Sequence, residues 1–291
     1  MEKSTKSTKQ SKGKATTKST KSTAKTKTTK KPATKTTTKK GIKTVKNIVS
    51  DYNKYDYTEF WQDTGREYED AADHMAVKRL LPRHSKVLVD VAGGYGRLAD
   101  IYLPRADKAI LFDYSQIGLD HAKKKYGKQL GTKQGDIYDL PFKDGEVSTI
   151  LMVRATHHFK DIDKVFKELY RILEPGGVAV IEVANKRTLP RIGRYLIGKT
   201  NISPFDHSVA NLTDVAKDGF FNYHPKYIED LFEETGFKVD SVLSVSNFRS
   251  ARLKKIFGAE NLIKLEKTAQ TALAPVRFAP SIYYRLIKPK K

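Results

Sequence analysis

The stretch Val87-Leu-Val-Asp-Val-Ala-Gly-Gly-Tyr-Gly-Arg-Leu-Ala99 decides the fold. An apolar run reaches an acid at Asp90, three glycines crowd the positions after it, and an amphipathic pattern comes next. The pattern predicts a buried strand, Val87 to Val91, that meets a helix through a turn with little side chain in the way. Gly93, Gly94 and Gly96 permit positive φ and close backbone approach, and the helix N-terminus beyond them offers free N–H donors. A ligand can press against the main chain there. A glycine-rich turn alone is also compatible with a plain loop, so the rest of the chain has to decide.

Strand candidates at 86–91, 108–112, 131–134, 147–153 and 178–183 alternate with helical patterns from about Arg97, at Gln116–Tyr126 and at Asp161–Leu173. In the last of these Val165, Phe166, Leu169 and Ile172 share one face. Such alternation predicts βαβ units and an α/β fold: a doubly wound, mainly parallel sheet whose crevice lies at the carboxyl ends of the strands. Tyr57 to Leu81 reads as helical with a break near Gly65. Gly127 and Gly236 stop the helices before them, the second running over Pro225–Thr235. Pro175-Gly176-Gly177 predicts a turn into the strand at 178–183, and residues 185–223 interrupt the alternation. Phe237–Ser246 begins the last strands. Phe248 to Lys291 sets apolar positions among lysines and reads as a packing helix or as a contact with an anionic membrane surface.

Charge is unevenly spread. Residues 1–46 carry 16 of the 55 basic residues and one of the 33 acids, so +15 of the net +22 belongs to them. Lys3 to Lys40 is almost wholly Lys, Thr and Ser, with nothing aromatic to bury, and is expected to be a disordered basic tail. It has neither the apolar core of a signal peptide nor the arginines of a transit peptide. Two readings stay open for it: a counterion-releasing arm in weak contact with nucleic acid or an anionic surface, or a solubilising extension without a partner. Residues 47–291 suit one large domain. The chain has no cysteine, which excludes disulfides, thiolate nucleophiles and Cys-based metal sites. No apolar run approaches the roughly 18–20 residues of a membrane span, so a cytoplasmic location is expected, without a transmembrane segment.

Four elements, in order, resemble the class I S-adenosylmethionine (SAM)-dependent methyltransferases. Asp90 to Gly96 is similar to their Asp/Glu-x-Gly-x-Gly-x-Gly loop, with Ala92 at the first glycine position and Gly94 and Gly96 at the next two. Asp113 follows the second strand, Gly135-Asp-Ile-Tyr-Asp-Leu-Pro-Phe142 the third, and Leu173-Glu-Pro-Gly-Gly-Val178 precedes the fifth. The resemblance covers Lys86 to Val183 and implies the Rossmann-like, seven-stranded sheet of that family, with SAM as cofactor. It implies cofactor contacts for Asp90, Ala92, Gly93, Gly94 and Gly96, a ribose contact for Asp113 with Tyr114 beside it, and an adenine segment at Asp136 and Ile137. A carboxylate can accept bonds from both ribose hydroxyls; an N-cap is the alternative for Asp113. Arg154, the first polar residue after the fourth strand, is expected to reach the cofactor. Phe60-Trp61 and Arg66-Glu-Tyr68 could close over the cofactor, with Arg66 pairing to its carboxylate; ordinary helix packing and surface charge are their other reading.

Methyl transfer by direct displacement needs alignment more than acid–base groups. If the acceptor must lose a proton, His157 and His158 at the crevice lip are the candidate bases; packing of the strand-to-helix turn is their other reading. No metal site is expected from two adjacent histidines. The acceptor is expected to be a small molecule, shaped by a lid at about 185–223 that mixes arginines with aromatic rings. Ala92-Gly93-Gly94 is also similar to the ubiquinone/menaquinone biosynthesis C-methyltransferases, but Val153-Arg-Ala-Thr-His-His-Phe159 departs from them. A quinone- or lipid-type acceptor and a nucleic-acid-associated methyltransferase guided by the tail are the alternatives. The Asn/Asp-Pro-Pro-Tyr/Phe signature of base amino-group methylation is absent, and the Pro-Gly-Gly and Gly-Asp-Ile segments favour SAM over NAD.

Overall fold

In a computed structural model the described residues are 61, 65–211 and 220–290. The basic tail at 1–46, Phe60 and part of the 185–223 segment lie outside them, and all of the described residues belong to the unit Thr44–Lys291. Seven strands form one sheet in the order β3-β2-β1-β4-β5-β9-β8. At its centre β1 (Ser85–Val91) pairs in parallel with β2 (Ala106–Asp113) and β4 (Val147–Met152), Val89 lying opposite Ile110 on one side and Ile150 on the other. β3 (Gly131–Gln134) and β5 (Leu173–Ala184) extend the parallel part outward. β9 (Ser281–Ile287) then runs antiparallel between β5 and β8 (Lys238–Val245). The doubly wound, seven-stranded sheet is as expected.

These strands read as apolar runs because both of their faces are covered. On one face Val89, Ile110, Phe112 and Ile150 meet α4 (Ile162–Ile172) and α6 (Pro225–Thr235). On the other Leu88, Leu111 and Leu151 meet α1 (Glu67–Leu80) and α3 (Gln116–Tyr126). Val165, Phe166, Leu169 and Ile172 of α4 are fully buried, each worth about 1.5–3 kcal/mol of transfer free energy. Phe166→Ala would cost about 3–5 kcal/mol.

Three local expectations are corrected. The helix from Arg97 is a single turn, α2 (Ala99–Tyr102), because Pro104 follows in a tighter turn. Pro175-Gly176-Gly177 lies inside β5 as a bulge: Val147 pairs with Leu173 and Thr149 with Val178, so four residues oppose one. Gly176 has φ +85° there, and a Cβ on Gly177 would stand 2.8 Å from Leu173. Of the helix expected from Tyr57 with a break near Gly65, the part after the break is α1, and residues 57–60 and 62–64 lie outside the described residues. The C-terminal stretch is not one packing helix but α7 (Ala251–Phe257), α8 (Ala259–Ala272) and then β9. α8 docks on α1, where Gln270 Nε2 donates to the Ala72 carbonyl (2.8 Å) and the Tyr68 hydroxyl to Glu266 (2.5 Å). The segment after β5 holds α5 (Leu189–Leu196) and a short ribbon of β6 (Ala210–Asn211) and β7 (Phe221–Asn222).

Candidate cofactor site

A cleft of about 1140 Å³, partly open to solvent, lies at the carboxyl ends of β1, β2 and β4. Its floor is the loop after β1. The Ala92 N–H donates to the Phe112 carbonyl (2.7 Å), which anchors the loop to β2, and Ala92, Gly94 and Gly96 all take positive φ. Gly93 is required for another reason: a Cβ there would sit 2.5 Å from the Asp90 carboxyl and from Leu111. Asp90 is folded beneath the loop, and burial, with the Asp113 charge adding, pushes its carboxyl up to about 7. From the other side α3 presses in. A Cβ on Gly118 would stand 2.9 Å from the Gly94 carbonyl carbon and oxygen, so helix and loop touch main chain to main chain.

Asp113 ends β2 with both oxygens already engaged: Oδ2 accepts from Gly94 N (2.7 Å) and Oδ1 from Ser115 N (2.7 Å). The cap of α3 is Ser115, whose hydroxyl accepts from Gly118 N at 3.2 Å, so the N-cap alternative for Asp113 falls away. Burial raises its carboxyl even though those N–H groups favour the anion. Each oxygen keeps a second lone-pair direction that a ligand hydroxyl could use. On the far wall Gly135 passes so close to Phe112 that a Cβ would lie 2.8 Å from the ring. Ile137 lines the cleft with Tyr114, Val153 and Phe159.

Arg154 also lines it, at φ +56°, but its charge is already committed. Its Nε and Nη2 clamp Asp73 at 2.8 and 3.0 Å, and its N–H donates to Glu182 (3.0 Å). Arg97 Nη2 shares Asp73 at 2.9 Å while Nη1 takes Asp70, and the Tyr283 hydroxyl adds a fourth bond at 2.8 Å. Burial alone would raise the fully buried Asp73; the two guanidinium groups hold it below the ordinary carboxylate value. The Trp61 ring lies 3.9 Å from Arg97 and 5.4 Å from Arg154. Sequence reasoning missed Asp73, Arg97, Gly118 and Tyr283. Arg97, directly after the last loop glycine, was the one with a local signal; the partners come from elements 24 and 210 residues from their contacts.

His157 and His158 occupy a short turn, rings 4.0 Å apart, with Phe220 at 5.0 and 5.2 Å. The Tyr223 hydroxyl pins that turn by donating to the Phe159 carbonyl (2.7 Å). Burial pushes both imidazoles down, His157 well below its ordinary value and His158 to about 4. Both are therefore neutral near pH 7. Of the expected site residues, Asp90, Ala92, Gly93, Gly94, Asp113, Tyr114, Ile137, Arg154 and His158 line the cleft. The other four do not. Gly96 lies behind the loop, where its carbonyl accepts from Tyr126. Asp136 turns back to accept from Tyr138 N (3.0 Å), His157 stands behind His158, and Arg66 sits at the start of α1.

The cradle fits SAM: a main-chain floor whose packed glycines leave no room for side chains, an acid beside it, and apolar walls. Among the described residues no cluster of His, Cys, Asp or Glu could hold a metal ion, and no helix is long and apolar enough to cross a membrane.

A family profile described as "Methyltransferase domain" matches residues 89–181. A Mycolicibacterium smegmatis protein named "Probable S-adenosylmethionine-dependent methyltransferase" is 26% identical over 181 residues, 62% of this chain and 62% of that protein. Demethylmenaquinone methyltransferase of Thermus thermophilus is 32% identical over 111 residues, 36% of this chain and 50% of that protein. The chain thus spans between half and two thirds of the length of these two relatives. A crystal structure of a SAM-dependent methyltransferase from Thermotoga maritima superposes with a TM-score of 0.54 at 18% identity, covering 81% of this chain and 97% of that one; it shows the fold. Residues 89–181 thus match a methyltransferase domain, and the chain is similar to SAM-dependent methyltransferases and shares their fold.

Proposed function

We propose that the protein transfers a methyl group from SAM to a small-molecule acceptor by direct displacement. The observation that carries this reading is the main-chain floor, where Gly94 meets both Gly118 and the Asp113 carboxylate. Bound SAM supplies an electrophilic methyl on its sulfonium, so the protein's share is proximity and alignment. In this reading the Gly93-Gly94 backbone and the first turn of α3 hold the cofactor's polar middle. Asp113 accepts from the ribose hydroxyls through its remaining lone pairs, and Tyr114 and Ile137 flank the adenine. The clamped guanidinium groups of Arg97 and Arg154 face the amino-acid end. Asp90, Gly96 and Asp136 shape the walls from behind. His158, held neutral, accepts a proton from an acceptor hydroxyl or nitrogen, with His157 and Phe220 fixing its ring.

Calorimetric titration tests the cofactor: SAM is expected to bind and NAD is not, and a response to NAD alone would overturn the reading. Gly94→Val puts a β-branched residue at φ +61° and is expected to weaken SAM binding about 10- to 100-fold, given the ~1–3 kcal/mol cost of that backbone state. Unchanged affinity would place the cofactor elsewhere. A second, narrower reading is a quinone- or lipid-type acceptor, favoured by the several relatives named demethylmenaquinone methyltransferase at 25–32% identity. Profiling cell extracts with methyl-labelled SAM separates the two by the solubility and mass of the labelled product.

A further inference from the structure

α5 is an amphipathic helix turned the wrong way for a surface facing only water. At 100° per residue Leu189, Ile192 and Leu196 share one side, while Arg191 and Arg194 point to the other. A surface helix normally buries such an apolar side, yet α5 has no buried residue. Leu189 is 60%, Leu196 71% and the following Ile197 64% exposed. Tyr195, with its ring 6.0 Å from that of the exposed Phe205, widens the apolar surface. The charge beside it has one sign. From Asn185 to Phe205 there are five basic residues and no acid. Lys186 is spent on Asp206 and Ser208. Arg191 Nη1 is enclosed, and the charge turned to the outside is that of Arg194 and Lys199, both exposed.

We infer that α5 and the residues after it dock on an anionic lipid surface, with Leu189, Leu196 and Ile197 entering the interface and the exposed Arg194 and Lys199 meeting lipid phosphates. Charge decides among the possible occupants. The lysine-rich residues 1–46 and a second copy of the chain would each bring positive charge against positive charge. An anionic bilayer supplies an apolar layer under a negative one, which is the order α5 presents. One weak apolar signal binds membranes only marginally and a polybasic stretch makes a second; the chain carries both. The helix follows β5, so it lies at the strand-end edge of the sheet that bears the cleft. Docking of this kind requires neither a particular acceptor nor methyl transfer.

The lack of cysteine allows a clean test in the full chain. Leu196→Cys is labelled with an environment-sensitive fluorophore and mixed with vesicles of phosphatidylglycerol and phosphatidylcholine, and Lys128→Cys, on the exposed turn after α3 at the opposite edge, serves as the control. The expected result is a blue shift and a several-fold rise in emission at position 196 alone, retained in part when salt screens the lysines. Adding Arg194→Ala and Lys199→Ala is expected to lower vesicle affinity about tenfold or more, at ~1 kcal/mol per basic residue, with SAM titration unchanged. Vesicle co-sedimentation without a signal at 196 would mean that the basic tail binds alone, and overturns the inference. So does an equal response on pure phosphatidylcholine, or a response that grows with protein concentration in the absence of vesicles.

Discussion

Between β1 and Ile137 the chain meets the cleft with main chain, and what little side chain is present is locked. Gly93 leaves no space for a Cβ, Gly118 rests on Gly94, and Asp113 is tied to two N–H groups. From Asn185 to Tyr223 it meets its surroundings with side chains, and several of the described ones, Leu189, Leu196 and Ile197 among them, are turned outward. The first arrangement suits a ligand that never changes; the second leaves room for one that differs from protein to protein. Rigidity belongs to the cleft floor and adaptability to the segment after β5.

The largest expected effect tests the locked side. Asp73→Ala strands Arg154 and Arg97 in a buried site, and denaturant unfolding is expected to show a loss of about 3–5 kcal/mol. Arg194→Ala, on the open side, is expected to stay within about 0.5 kcal/mol. Equal effects would erase the contrast. Next comes pH. His158 titrates at about 4 in the fold against 6.5 unfolded, so the unfolded chain takes up the proton first as acid is added. Its contribution is whole above pH 6.5 and is lost as pH falls toward 4, by an amount on the order of 3 kcal/mol. His158→Phe, which keeps a ring against Phe220, is expected to flatten the stability profile in that window; an unaltered slope would show the imidazole to be solvated. The smallest effect is a gain. Ala92 holds φ +54°, a region that disfavours a Cβ, and Ala92→Gly is expected to raise stability by up to about 1 kcal/mol. A loss would mean that the Ala92 methyl packs usefully against the core beside it.

The locked side was legible in sequence for the same reason that it is locked. A main-chain cradle needs glycines at fixed spacing and an acid at a strand end, and both stand in one dimension at Gly93, Gly94, Gly118 and Asp113, though Gly118 went unread because it lies inside a helix pattern. The ion cluster was not legible: Asp73, Arg97, Arg154 and Tyr283 come from four separate elements, and each alone resembles a surface charge or a core ring. β9 was hidden by its composition, because Ser281 and Arg285 interrupt the apolar residues of this seven-residue strand and lysines follow it. The Pro-Gly-Gly bulge kept its residues but not its expected form, since β4 continues to pair across it. Arg66 rested on chemical plausibility alone, and the structure places it at the start of α1.

The position of β9 bears on the order in which the molecule can be assembled. Strands β1 to β5 pair among themselves and leave the ribosome first, so the cofactor cradle can be built while the chain is still being made. β8 cannot join them, for among the described strands it pairs only with β9, which follows it in the chain and must slide between β8 and β5 with seven register pairs on each side. Until then β5 has an open edge of the kind that invites pairing with other chains. The late strand thus also supplies Tyr283 to Asp73, joining completion of the sheet to completion of the site.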